Sequence, residues 1–167
     1  MSQAHAPAAM EHLTLEGPVG GNGLEFKAFQ FPLVGTATAD LPAPPGAAWR
    51  DGAGHATLLH FAPGRFFAPA PAAELARHLA ALEAAGIGRV FDVTGKWRAL
   101  RVAGPGALRL LAAGADVEAV LAHRDCAALS LFDCPVVLAH ASRAFDLWVP
   151  ASYATDLRNS LERLRAR

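Results

Sequence analysis

The sequence lacks several features that would narrow its chemistry. It has no surplus of charge: fifteen basic and fifteen acidic residues balance, which removes the electrostatic case for nucleic acid or an anionic membrane as a partner. No apolar run approaches the roughly 18 to 20 residues of a membrane span. No basic region followed by an apolar core opens the chain, so no secretion signal is read. There are only two cysteines, Cys126 and Cys134, too few for a disulfide framework, and the chain is read as cytoplasmic. It has neither a P-loop nor a Gly-x-Gly-x-x-Gly turn. With no nucleophile–base pair and no cluster at metal-ligand spacing, no catalytic, cofactor-binding or metal-binding residue is assigned.

What the chain does have is apolar substance. Apolar residues make up 53% of 167, enough for one domain around one core, although much of that share is alanine. Residues 1–23, rich in Ala, Gly and Pro, read as a flexible leader, and residues 24–167 as a single domain. His5 and His12 fall in the leader and are read as solvated.

The chain is organised around Arg89–Leu111. Val90, Phe91 and Val93 favour a strand, and Thr94-Gly95 punctuates it. Leu100 and Val102 alternate with Arg101 on a second strand. Gly104 ends that strand, and Pro105 suits the first position of a helix, where its missing N–H costs nothing. Asp92 is read as a turn cap accepting N–H bonds near Thr94 or Gly95. Lys96, Arg98 and Arg101 are read as a solvated strand face, with an anion site as the alternative.

Elsewhere, alternation predicts an edge strand over 24–31 and a hairpin from His55 to Ala68 turning at Pro63-Gly64. His60, alone on its strand, is expected to be exposed or hydrogen-bonded rather than a ligand. Trp49 sits in a proline-bounded loop and is read as a lid over the core. Leu75, Leu79 and Leu82 make one stripe of a helix spanning 71–85. A second helix, 105–113, has Leu108, Leu111 and Ala112 inward, and a short helical turn follows over 116–122. Strands 126–132, 136–140 and 145–149 form a meander whose first turn is Asp133-Cys134-Pro135. Ser152 is placed as the cap of a last helix with Tyr153, Leu157, Leu161 and Leu164 as its stripe. The two cysteines are expected to be buried and inert.

One resemblance adds to this reading. The run from Asp92 to Ala107, with Asp92-Val93-Thr94 and Ala99-Leu100-Arg101-Val102-Ala103-Gly104-Pro105-Gly106-Ala107, is similar to a signature of the folate-binding fold of the glycine-cleavage T-protein group. The hairpin from His55 to Ala68, turning at Pro63-Gly64, resembles a hairpin of that group. Phe145-Asp146-Leu147-Trp148-Val149-Pro150-Ala151-Ser152-Tyr153-Ala154 resembles its closing strand and turn. Within the group the chain most resembles the gamma subunit family of heterotetrameric sarcosine oxidase, over residues 55–167.

The resemblance implies an α+β fold: a mostly antiparallel sheet with helices on one side, in a split β-α-β arrangement. It implies a non-catalytic subunit packed against the large alpha chain of an enzyme that demethylates sarcosine to glycine. FAD, FMN, NAD and tetrahydrofolate are then expected in the other chains. A stand-alone folate-binding or aminomethyl-transfer protein and a homo-oligomeric relative remain open. Alternation on the last strand turns Asp146 and Trp148 away from Phe145, Leu147 and Val149. That pair is the candidate interface, unless a loop, such as the one bearing Trp49, covers it within the same chain.

Overall fold

The computed structural model describes residues 14–16, 23–141 and 143–167; His5 and His12 lie outside them. Among the described residues ten strands form two antiparallel five-stranded sheets. The first sheet runs in the order β1 (Thr14–Glu16), β7 (Trp97–Ala103), β10 (Ala144–Pro150), β9 (Cys134–Ala141) and β8 (Cys126–Leu131). The second runs β3 (Ala48–Arg50), β4 (Ala56–Ala62), β5 (Arg65–Pro69), β2 (Gly23–Ala28) and β6 (Gly88–Asp92). Five helices accompany them: α1 (Ala37–Asp40), α2 (Ala73–Ala84), α3 (Ala107–Ala112), α4 (Val117–Leu121) and α5 (Ala154–Arg165).

The α+β class, the antiparallel pairing and the split β-α-β unit are all present. β5 and β6 are each antiparallel to β2, which lies between them, so they run parallel to one another across α2. The expected single sheet is in fact two, stacked face to face with helices outside. Leu79 and Leu82 of α2 pack on Phe26, Leu58 and Phe66 of the second sheet. Leu110, Leu111, Val117, Leu157 and Leu161, from α3, α4 and α5, pack on Leu100, Val102, Leu138 and Leu147 of the first. Between the sheets, Ala56, Leu59, Phe61 and Phe67 meet Ala99, Val137, Ala139 and Trp148. Two sheets need four apolar faces, and alanine at many inward positions lets the inner pair approach closely.

Several boundaries differ from expectation. Thr14–Glu16 falls inside the stretch read as a leader, yet pairs with β7 from Thr14↔Ala103 to Glu16↔Arg101, and Leu15 packs on the first sheet's core. β2 is an interior strand, not an edge. Trp49 belongs to edge strand β3, half-buried over α2 rather than in a loop. In the β8–β9 hairpin the turn is Phe132-Asp133, both at positive φ (50° and 62°). That is the backbone sense a two-residue hairpin loop requires, and it leaves Cys134 and Pro135 in the strand.

In α3 the buried leucines are Leu110 and Leu111, while Leu108 is half-buried and Ala112 exposed. Ser152 and Tyr153 lie in a 3-10 turn, Ala151–Tyr153, with no side-chain cap bond. Tyr153 is 41% exposed and drops out of the stripe that Leu157 and Leu161 carry. No helix among the described residues is long and apolar enough to cross a membrane.

Candidate functional site

β10 alternates as its sequence predicts, with Phe145, Leu147 and Val149 turned to the helices. Asp146 and Trp148 point the other way, but not to a partner. The second sheet occupies that side, and each residue is only 3% exposed. The Trp148 ring stands edge-on to Phe67 with centroids 5.6 Å apart, and its Nε1–H has no hydrogen-bond partner among the described residues. The assignment of these two residues to an interface is therefore corrected: they are core residues of this chain, because a sheet the alternation could not reveal covers them. Strand β3, which bears Trp49, is part of that covering sheet, and Ala48 packs on the cluster that holds Trp148; the Trp49 side chain itself turns to the far side and packs in the cluster with α2.

The basic residues of the organising stretch separate rather than converge. Arg101 Nε and Nη2 donate to the two carboxylate oxygens of Asp146 at 2.7 and 3.0 Å. Arg98 donates to the carbonyls of Gly95 and Trp97. Lys96 Nζ reaches both oxygens of Glu25 at 3.2 Å, so the three do not build one anion site. Glu25, which sequence reading passed over, is a junction between the sheets. Only 13% of its side chain is exposed, and it also accepts from Trp97 Nε1 at 3.3 Å and lies 4.0 Å from Arg65 Nη2. Its place on an alternating strand was legible; its partners some seventy positions away were not.

Asp92 is the turn cap expected: its Oδ1 accepts from Thr94 N–H at 2.9 Å and Thr94 Oγ1–H at 2.6 Å. The Thr94 hydroxyl bond, then the backbone bond, lowers its pKa. His60 is fully buried and hydrogen-bonded. Gly64 N–H donates to Nε2 at 3.0 Å, so the ring proton sits on Nδ1 and donates to Pro42 O at 3.0 Å. The ring stacks on Phe66 at 4.2 Å, and desolvation lowers its pKa. Cys126 and Cys134 are free and buried. Burial first, then Asp125, pushes the Cys126 thiol up to about 12, which leaves it protonated and unreactive.

Two concavities bear on recognition. One, about 640 Å³, lies between β3 and the start of α2 and is lined by Trp49, Asp51, Glu74, Leu75 and His78 among others. The other, about 290 Å³, opens on the second sheet beside Glu25, Lys27, Phe61, Arg65 and Phe91. Among the described residues no three His, Cys, Asp or Glu side chains group as metal ligands would. The arrangement offers charged and aromatic contact surfaces.

No family model matches the chain, and no curated protein sequence does. The fold is similar to that of a chain in the heterotetrameric sarcosine oxidase from Corynebacterium sp. U-96 in complex with pyrrole 2-carboxylate. The TM-score is 0.74 at 22% identity, over 92% of this chain and 84% of that one. It is also similar to the glycine cleavage system aminomethyltransferase T from Bartonella henselae, with a TM-score of 0.60 at 16% identity over 90% of this chain. There the match spans only 45% of the other protein, so this chain has about half the extent of that aminomethyltransferase. The fold is thus the one shared by the glycine-cleavage aminomethyltransferase and a sarcosine oxidase chain.

Proposed function

We propose that this protein is a gamma-type subunit of a heterotetrameric sarcosine oxidase-like complex, acting in oxidative demethylation of sarcosine to glycine. In this reading it packs against the large alpha chain and supplies no catalytic group. FAD, FMN, NAD and tetrahydrofolate belong to the other chains, and the assembly is cytoplasmic. The observation that carries the reading is matched extent. The likeness covers nearly all of this chain and 84% of a chain from a multi-chain oxidase, but under half of the aminomethyltransferase. A subunit of that size has counterparts to pack against, whereas a stand-alone aminomethyltransferase of the second kind would need the other half.

The test is co-expression with the larger chains of the oxidase from the same source, followed by light-scattering mass and sarcosine-dependent peroxide release. Co-elution in one complex of defined mass is the expected result. A chain that ignores those partners and runs as a multiple of itself would replace this reading with the homo-oligomeric one. Saturable binding of tetrahydrofolate by the isolated chain would favour the stand-alone folate reading.

A further inference from the structure

The first sheet does not cover the whole inner face of the second. Lys27 on β2 stands directly opposite both Arg65 on β5 and Arg89 on β6, so the three side chains form one row on one face. It is the inner face. Two residues along, Glu25 stands opposite Phe67 and Phe91, and Phe67 belongs to the core between the sheets. Beyond that core the row is uncovered: Lys27, Arg65 and Arg89 are exposed, and Phe91 is 43% exposed. The Arg65 guanidinium lies 4.9 Å from the Phe61 ring centre, and that of Arg89 lies 6.0 Å from Phe91. The cavity of about 290 Å³ sits among these groups.

Like charges directly opposite on neighbouring strands destabilise a sheet. Glu25 relieves only one flank, through Arg65 and Lys96. Among the described residues no carboxylate pairs with Lys27 or Arg89. The chain as a whole is neutral, so the positive surplus belongs to this face rather than to general basicity. The row crosses three strands and spans about 10 Å at the usual strand spacing. Same-face side chains of an extended segment recur about every 6.8 Å, so two or three alternate carboxylates would neutralise the row.

We infer that this face docks an extended acidic segment of the larger chain. Carboxylates meet Lys27, Arg65 and Arg89, and an apolar side chain enters beside Phe61 and Phe91. The inference rests on the subunit reading above and names the surface that reading requires.

The test measures affinity of the full chain for the co-purified larger chains. The wild type is compared with Lys27→Gln/Arg65→Gln/Arg89→Gln, which removes the mutual repulsion and so keeps the sheet, and with Phe91→Ala. A control, Arg158→Glu/Arg163→Glu, alters exposed charge on α5. The neutralised triple is expected to bind at least about tenfold more weakly, as loss of complementary charge does. Wild-type affinity should fall between about 0.05 and 0.3 M salt while that of the triple stays flat. Phe91→Ala should weaken binding without changing the salt slope, and the control should bind as wild type. Wild-type binding that the triple leaves unchanged would overturn this surface and leave the subunit reading standing. No wild-type binding at all would overturn both. Triple-sensitive binding to anionic vesicles or RNA, with the larger chains unaffected, would assign the row to another class of partner and overturn the inference.

Discussion

Arg101 and Asp146 stand directly opposite each other on β7 and β10, joined by two parallel hydrogen bonds at 2.7 and 3.0 Å. The carboxylate is almost wholly withdrawn from water, with 4% of its side chain exposed, and the guanidinium is 18% exposed. Removing the guanidinium takes this ion pair from a carboxylate that stays charged and desolvated. Arg101→Met is therefore expected to lower stability by about 3–5 kcal/mol. Asp146→Leu combined with Arg101→Met should cost clearly less than the two single changes added together. Urea unfolding of the three variants decides it; additive losses would mean the two side chains are not coupled.

Trp148 makes a separate prediction. Its ring fills an alanine-lined space between the sheets, so Trp148→Ala should cost about 3–5 kcal/mol of stability. Trp148→Phe keeps much of the packing and deletes a buried N–H that has no partner among the described residues, so its cost should be less than half of that. Denaturation midpoints compare the two. An unchanged midpoint for Trp148→Ala would contradict the inward placement.

Leu79 and Leu157 are both fully buried, one under each sheet's outer face. Leu79→Ala and Leu157→Ala are each expected to destabilise by about 2–5 kcal/mol, read as a drop in the urea midpoint at unchanged slope. Because they belong to different clusters, the double variant should lose close to the sum.

His60 sets a pH dependence. Its pKa is lowered from 6.5 in the folded chain by desolvation, so below 6.5 the unfolded chain takes up the proton first. The stability His60 contributes is full above 6.5 and is lost as pH falls toward the folded pKa. Protonation would also turn an N–H at Nε2 against the Gly64 N–H that now donates to it. Thermal midpoints from pH 7.5 to 5 should decline for the wild type. They should decline less steeply for His60→Gln, which starts from a lower midpoint at pH 7.5. Parallel curves would sink the assignment.

Both cysteines should resist thiol reagents at pH 8 while the chain is folded, since burial raises each thiol's pKa and only the thiolate reacts. A colorimetric thiol assay should report almost nothing in buffer and two thiols after denaturation. Rapid labelling of either one in the native chain would show that its strand opens.

What could be read from the sequence was what neighbours in the chain decide. The stripe of Leu75, Leu79 and Leu82, the Pro63-Gly64 hairpin, the Asp92 cap and the two faces of β10 all follow from spacings of a few residues. Which element lies against each face does not. Alternation separated Trp148 from Leu147 correctly, but a strand apolar on both sides looks the same whether a sheet, a loop or a partner covers it.

The Glu25 junction and the Lys27, Arg65 and Arg89 row depend on register between strands far apart in the chain. Register is fixed by the whole packing and flips every side chain when it slips by one. Thr14–Glu16 was hidden for a related reason: three residues inside a Gly- and Ala-rich stretch carry no period.

The position of β2 has a further consequence. It is made before β5 and β6 yet separates them, so the crossover through α2 joins two strands that never touch. A chain cut after Ala28 would hold a slot one strand wide, with unpaired backbone groups on both walls. Such a slot invites any extended peptide, including another copy's, and so invites aggregation. It would also accept a synthetic peptide of residues 23–28 supplied in trans. The sheet is thereby a natural two-piece lock, with its key at the front of the chain.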